Sequence, residues 1–393
     1  MFKPGSVVEQ IERMARTHQH RERDSYLVSA RELLRRTDPA ALAKRLQSRT
    51  CAFPWLAAVP LNSLAEAFAP SPPHESFSVV ATDGSSIPPD RHSPLRFYVI
   101  NTGHAILAYG SQPAAELDSH AQLYFEDKDL YIAPGQRDIP IEGNRLATAM
   151  SIAELEHLIE CAGSVPRPAV ALRDGSLILW SLQNESREVQ QHFLSRFRAC
   201  LTALRRSELP LASYISFPGG KDVCNALRFQ LCQDNPVSCR SCSLPPDEKP
   251  LCSWLGRSYD RLLFDDLRPG DRTDVFASTS QILQLYDSGT SQENRIDFFY
   301  LNVGGEIARV EVPRWVSSHP TMLDLVHTTI YDQCRRSSDV PAYPPALQEA
   351  HEQAVISTSD RRLVEELVRQ ALARRGIPYV RSAKDNSKRR RGV

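Results

Sequence analysis

Phe77-Ser78-Val79-Val80-Ala81-Thr82-Asp83-Gly84-Ser85 and the later Ala169-Val170-Ala171-Leu172-Arg173-Asp174-Gly175-Ser176 decide how this 393-residue chain folds. Each is a short apolar, β-forming run that stops at Asp-Gly-Ser, and the two aspartates lie 91 residues apart. Taken singly, Asp-Gly is turn chemistry, because Gly accepts positive φ and Asp bonds its own backbone. Two such triplets at the ends of neighbouring buried strands carry more. Strand ends of an α/β sheet are where side chains distant in sequence converge on a ligand.

Outward from these runs, the pattern predicts a strand over 77–83 closed by Gly84, then strands over 95–101 and 105–109 joined as a hairpin about Thr102-Gly103. A helix over 145–162 follows, with Leu146, Met150, Ile152, Leu155, Leu158 and Ile159 as its apolar face. Next come the strand 169–174, a helix over 186–206, a strand over 211–217 and a hairpin of 297–302 with 307–312 about Gly304-Gly305. Helices over 320–335, 345–356 and 359–374 close the series. Strands followed by strand–helix alternation describe an α/β domain with a mixed sheet flanked by helices. Residues 1–70 read as helical, with Val7, Val8, Ile11 and Met14 in a narrow apolar stripe, and Pro70, Pro72 and Pro73 mark a linker. Such an arm packs on the main body or on a second subunit, and is the expected place for dimer or partner contacts.

Composition excludes several classes of function. The chain is 41% hydrophobic and 24% charged, which is ordinary for a globular protein. Lys+Arg and Asp+Glu both number 47, so no bulk positive field exists to hold an acidic polymer and any nucleic-acid site must be local. No apolar run approaches the ~18 residues of a membrane span and the N-terminus lacks a signal-peptide core, so the cytoplasm is the expected compartment. Nine cysteines, an odd count, argue against a disulfide framework.

The two strand-end carboxylates, Asp83 and Asp174, would repel each other unless a cation neutralised them, and a divalent metal with hard oxygen ligands is the economical explanation. The intervening helix offers Glu154, Glu156 and Glu160, of which Glu156 and Glu160 share a face while Glu154 lies about 200° from Glu156. His351, on a late helix, can complete such a site through its imidazole. Two ions held by one such set stabilise the attacking and leaving oxygens of an in-line phosphoryl displacement.

The order of strand, Asp-Gly-Ser, hairpin, Glu-bearing helix, strand, Asp-Gly-Ser and Ser213-Tyr214-Ile215-Ser216 resembles the NurA family of DNA-repair nucleases. Val312-Pro313-Arg314-Trp315-Val316 and Tyr343-Pro344-Pro345, with Leu347, Ala350 and His351, continue the likeness from about 77 to 360. The resemblance implies a ribonuclease H-like core and a manganese- or magnesium-dependent activity, as a single-strand endonuclease and 5′ to 3′ exonuclease in double-strand-break end resection. It also implies DNA as substrate, a homodimer, and a hexameric HerA-type ATPase as partner. Carried onto this sequence, Asp83, Asp174 and His351 match the family's carboxylates and late histidine. Glu154 is the helix glutamate, with Glu156 as the alternative. On this reading 1–70 is a helical arm, 75–375 the nuclease domain with a Cys-rich insertion at 224–255, and 376–393 a C-terminal strand and basic tail.

Three further features complete the reading. Tyr214 and Ser216 at a strand end, and Lys221 in Gly219-Gly220-Lys221-Asp222, are candidate substrate contacts, although a packed core tyrosine is the blander reading of Tyr214. The Lys221 segment is not a phosphate loop, so ATP hydrolysis is not expected of this chain. Cys232, Cys239, Cys242 and Cys252 have one Cys-x2-Cys spacing in a turn-rich segment and could close on structural zinc or an iron–sulfur cluster, against the alternative of unligated thiols. The tail 384–391 is basic and can touch DNA phosphates through counterion release. From a different class, a non-catalytic ribonuclease H-like adaptor, binding DNA or an ATPase through its Cys-rich segment, is the alternative function.

Overall fold

Residues 4–377 are described by the computed structural model, apart from 18–20, 48–53, 91, 92, 94, 134, 233–236, 238, 240, 241, 243, 288–291, 339 and 340. The basic tail and all of the expected C-terminal strand beyond Ile377 lie outside the described residues.

Three helices open the chain, α1 (Gly5–Thr17), α2 (Arg21–Arg36) and α3 (Pro39–Leu46), before the short strands β1 (Ala58–Pro60) and β2 (Ala67–Phe68). Asp38 caps α3 by accepting from the Ala40 and Ala41 N–H groups, and Pro39 presets its first turn. Three long strands follow, β3 (Phe77–Ile87), β4 (Tyr98–Tyr109) and β5 (Ala114–Tyr124), then α4 (Asp127–Leu130) and the small hairpin of β6 (Tyr131–Ile132) and β7 (Ile139–Pro140). Alternation begins with α5 (Asn144–Ala162), β8 (Ala169–Asp174), α6 (Arg187–Arg206), β9 (Leu211–Ile215) and α7 (Asp222–Leu231). The rest is α8 (Pro250–Leu255), α9 (Asp260–Leu263), β10 (Arg272–Thr273), β11 (Phe276–Ser278), β12 (Ile296–Asn302), β13 (Ile307–Pro313), α10 (Arg314–Ser317), α11 (Pro320–Arg336), α12 (Pro345–Ala354) and α13 (Thr358–Ala373). Ser357 and Asp360 close a reciprocal capping box at the start of α13.

One mixed sheet runs in the order β1-β11-β12-β13-β9-β8-β3-β4-β5, with β10 bridging β12 and β2 at its side. β3, β4 and β5 form an antiparallel meander, while β8 lies parallel to both β3 and β9. Residues 169–173 of β8 are all buried, as a central parallel strand with helices on both faces requires. α5 packs on β3 and β4 from one side and α12 from the other.

Three expectations about the meander are corrected. The strand through Asp83 does not stop at Gly84 but continues to Ile87, and the supposed hairpin about Thr102-Gly103 is one unbroken strand, β4. Gly103 is there because α12 rests on it: a Cβ would sit 2.4 Å from the Ala354 N and 2.5 Å from the Ala350 carbonyl oxygen. The true third strand is β5, which is exposed along almost all of its length. Lacking a buried face, it shows no apolar alternation to read. A fourth correction concerns the N-terminal region, which is not helical throughout: β1 and β2 lie within it and join the sheet by pairing with β11 and β10.

β12 separates two hydrophobic cores. Phe299 and Leu301 belong to the core under α5, α6, α11 and α12, whereas Phe298 and Tyr300 belong to one built with α2, α3, α7 and α9. The N-terminal helices α2 and α3 therefore bury their apolar faces, through Ala30, Leu34 and Leu42, within this second core.

Candidate active site

The parallel register of β3 and β8 pairs Thr82 with Arg173, which sets the next residues, Asp83 and Asp174, side by side. Opposed residues of an antiparallel pair share a face. Asp83 opposes Gly103 and so faces α12, while Gly84 opposes Thr102 and faces α5. On the α12 side, His351 Nδ1 lies 2.6 Å from Asp83 Oδ2. The C-terminal end of α12 is tied to the meander as well, with Asn101 Nδ2 donating to the Ala354 carbonyl at 2.9 Å and the Ser85 hydroxyl donating to the same oxygen. These bonds and the bare surface of Gly103 position the His351 turn over the strand ends.

Glu154 enters from α5 and is 4% exposed. Its Oε2 accepts from Arg173 Nε at 3.0 Å, and the Thr82 hydroxyl donates to its backbone carbonyl at 2.9 Å. Its Oε1 lies over Gly84, where a Cβ would approach it to 2.7 Å. Burial is the main force on its carboxyl, pushing it up to about 7; Arg173 opposes this, while Asp83 and Asp174 add to it through their negative charge. The three carboxylates are thus within electrostatic reach of one another. Glu156 turns the other way, held bidentate by Arg196 of α6 at 2.9 and 2.6 Å. Glu160 sits against His157 at 3.2 Å and is likewise directed away from the strand ends.

Two residues of this cluster were not singled out from sequence. Arg173 is the lone charge inside an apolar strand, which is itself a signal, since a buried guanidinium demands a buried acid. The Tyr343 hydroxyl is held well above the usual phenol range by burial first and then by the negative charge of Asp174 and Asp83.

Tyr214 is corrected as a substrate contact. It is wholly buried, donates to Glu306 Oε1 at 2.7 Å, and packs edge-on against Tyr343 at 5.6 Å between ring centroids, so it supports the Tyr343 ring and meets no solvent. Ser216 is exposed, with its hydroxyl donating to Glu306 Oε2 at 2.9 Å. Lys221 Nζ donates to the Gly256 carbonyl at 3.1 Å, above the Tyr259 ring. It lines a cleft of about 510 Å³ that begins at Ser176, two residues beyond Asp174. Of the Cys-rich segment, Cys242 is exposed and accepts from Lys249 Nζ at 2.9 Å. The Cys239 thiol is pushed up to about 11, first by burial and then by Cys232, with Cys252 and Cys242 adding to it. Cys224 lies apart from them in α7, buried.

A family model for the NurA domain matches residues 77–356, most of the chain and the whole of this cluster. The chain belongs to the NurA family. As a NurA-family nuclease it carries a ribonuclease H-like core, in which the antiparallel meander β3-β4-β5 is continued by the parallel strands β8 and β9. Among solved structures, a crystal structure of NurA with manganese is similar over 93% of this chain and 98% of its own, at 13% identity and a TM-score of 0.33. The catalytic domain of human Endonuclease V is similar over 77% of this chain and 85% of its own, at 16% identity and a TM-score of 0.30. Marinitoga piezophila Argonaute, in complex with 5′ OH guide RNA and target DNA, is similar over 72% of this chain and 30% of its own, at 16% identity and 0.26. Scores this low lend the neighbours no weight beside the family match. No curated protein matches the chain significantly. Among the described residues of this NurA-family chain, no helix is long and apolar enough to cross a membrane.

Proposed function

We propose that this chain is a divalent-metal-dependent deoxyribonuclease, cutting single-stranded DNA internally and degrading it from 5′ ends during double-strand-break end resection. The observation that carries the reading is the side-by-side register of Asp83 and Asp174, with Glu154 and His351 beside them. The donor set fits Mn²⁺ or Mg²⁺: three carboxylates offer hard oxygen ligands with one imidazole beside them, and after burial it is the negative charge of Asp83 and Asp174 that pushes the Glu154 carboxyl up against the pull of Arg173. Asp83, Glu154, Asp174 and His351 would hold the metal, which when bound supplies Lewis-acid stabilisation of the phosphate oxygens and lowers the pKa of water.

The chain's own residues do the positioning. His351 orients the Asp83 carboxylate through its Nδ1 contact, Arg173 fixes one oxygen of Glu154 and leaves the other facing Gly84, and the Tyr343 hydroxyl addresses Asp174. Lys221, in the cleft that Ser176 also lines, and the exposed Ser216 serve as contacts to the DNA backbone, Lys221 retaining two further N–H donors beyond the one given to Gly256. Cys232, Cys239, Cys242 and Cys252 are the candidate ligands of a structural zinc or iron–sulfur centre: after burial, the other three raise the Cys239 thiol, although no three of the four sulfurs lie within 4.8 Å of one another. A homodimer working with a hexameric HerA-type ATPase supplies the motor that this sequence lacks, as no phosphate-loop motif is present.

The test is digestion of 5′-labelled and 3′-labelled single-stranded DNA in Mn²⁺, Mg²⁺ and EDTA, with Asp83→Ala as control. Metal-dependent cutting that falls at least about a hundredfold in the variant is expected. Equal behaviour of wild type and variant, with or without a HerA-type ATPase added, would sink the nuclease reading and leave the adaptor.

A further inference from the structure

One turn beyond Glu154 on α5, and on the α5 side of β4, lies a cluster that the nuclease site does not use. One ligand atom each from His104, His157 and Cys161 lie within 4.8 Å of one another, the one such trio of His, Cys, Asp or Glu among the described residues. His104 Nδ1 faces His157 Nε2 at 3.0 Å, and Cys161 Sγ lies 3.9 Å from that same Nε2. A tetrahedral zinc ion with bonds of about 2.0–2.1 Å to nitrogen and 2.3 Å to sulfur separates its ligands by roughly 3.3 Å between nitrogens and 3.6 Å between nitrogen and sulfur. The nitrogen–nitrogen spacing is about 0.3 Å shorter than that and the nitrogen–sulfur spacing about 0.3 Å longer.

The outer nitrogens of both imidazoles face acids. His157 Nδ1 lies 3.2 Å from Glu160 Oε2, and His104 Nε2 lies 3.7 Å from Glu116 Oε1. In a metal-binding histidine the far N–H is usually directed at a carboxylate, which fixes the tautomer and leaves the inner lone pair for the ion. Here both rings have that arrangement. His104 is only 7% exposed, and its Nε2 has no hydrogen-bond partner among the described residues; a tautomer fixed by a metal at Nδ1 would commit that N–H to Glu116. His104 and His157 line a cleft of about 390 Å³ that also presents Asp118, His120 and Glu160, giving a cation an acidic entrance.

We propose that His104, His157 and Cys161 bind a Zn²⁺ ion, separate from the Mn²⁺ or Mg²⁺ of the nuclease centre, which clamps α5 to β4. Two imidazoles and a thiolate suit a borderline-soft ion and disfavour Mn²⁺ and Mg²⁺, which take oxygen ligands. Binding releases the Cys161 thiol proton to solvent, and the proton shared between the facing imidazole nitrogens moves to the outer nitrogen of the ring that carries it, where a carboxylate accepts it. Because His157 follows Glu154 by three residues, the ion fastens the helical turn that delivers Glu154 to the strand ends.

The experiment uses Co²⁺ as a probe, read by the thiolate-to-cobalt charge-transfer band and the intense visible bands of tetrahedral cobalt. Titrations are run on the full wild-type chain and on a Cys239→Ser/Cys242→Ser background, which removes thiolates of the Cys-rich segment. One equivalent of Co²⁺ with a thiolate band is expected to survive in that background, to be displaced by Zn²⁺, and to disappear on adding Cys161→Ser or His157→Asn. In the wild-type chain the same two substitutions remove one equivalent of the total. Unchanged stoichiometry and spectrum in variants that retain the wild-type circular dichroism would overturn the proposal, whatever the nuclease assay shows. The same holds for a wild-type chain without thiolate-bound cobalt.

Discussion

Gly84 owes its identity to a neighbour on another element. A methyl group there would meet Glu154 Oε1 at 2.7 Å and Met150 Cγ at 2.8 Å, so the carboxylate can lie over the strand only because the strand is bare. Gly84→Ala is expected to cost about 1–3 kcal/mol by overpacking and to cut DNA hydrolysis by more than tenfold, because Glu154 must yield. Urea melts and single-strand digestion check both, and a variant as active as wild type would refute the contact. Glu154 has its own signature. Burial raises its pKa to about 7, above its unfolded value, so the native state holds a proton that the unfolded chain has already lost. Its contribution to stability is full below the unfolded pKa and declines as pH rises toward 7. In chelator, the thermal midpoint of wild type should fall over about pH 5 to 7 relative to that of Glu154→Gln, and parallel curves would disprove this.

At the scale of elements, α12 is what brings His351 to Asp83, and it does so by lying directly on β4. Gly103 allows the approach, and Asn101 donates to the last carbonyls of the helix, Gln353 at 3.2 Å and Ala354 at 2.9 Å. A Cβ at position 103 would press on backbone atoms that have no rotamer to escape into. Gly103→Ala should therefore destabilise by about 2–3 kcal/mol and abolish most of the activity, whereas Asn101→Ala should cost about 1 kcal/mol. Denaturant midpoints rank the two; the reverse order would show that capping, not contact, holds α12. This is also where reading by pattern fails. Thr102-Gly103 has turn composition, yet its glycine serves a helix some 250 residues away in sequence. β5 gave no signal because an edge strand with both faces wet is under no demand to alternate.

Across the whole molecule, a buried chain of charges links the strand ends to the second core. Glu311 accepts from the Ser176 hydroxyl at 2.8 Å and the Leu177 N–H at 2.9 Å, just after Asp174, and from Arg309 Nε at 2.9 Å. Arg309 also reaches Asp222 Oδ2 at 3.2 Å, at the head of α7. Arg309→Met would leave two buried carboxylates without their cation, at a cost of about 3–5 kcal/mol. We expect a lowered urea midpoint together with weaker nuclease activity, since the Asp174 turn is anchored through Glu311. Retained stability would mean that Asp222 and Glu311 find other partners.

What the sequence determined by itself was whatever depends on neighbours close along the chain: the central strands with their continuous apolar runs, the helices α5, α6, α11, α12 and α13, and the two Asp-Gly-Ser triplets at adjacent strands. The tertiary structure decided the matters of approach. It alone separates Glu154 from Glu156, because the helix carries acids on several faces and only packing says which one looks at the strand ends and which one meets Arg196. It alone withdraws Tyr214 into the core behind Tyr343 and sets His104 against His157 and Cys161. Period and propensity describe a residue's own element; a site is made where elements touch, and that depends on distances no single stretch of sequence contains.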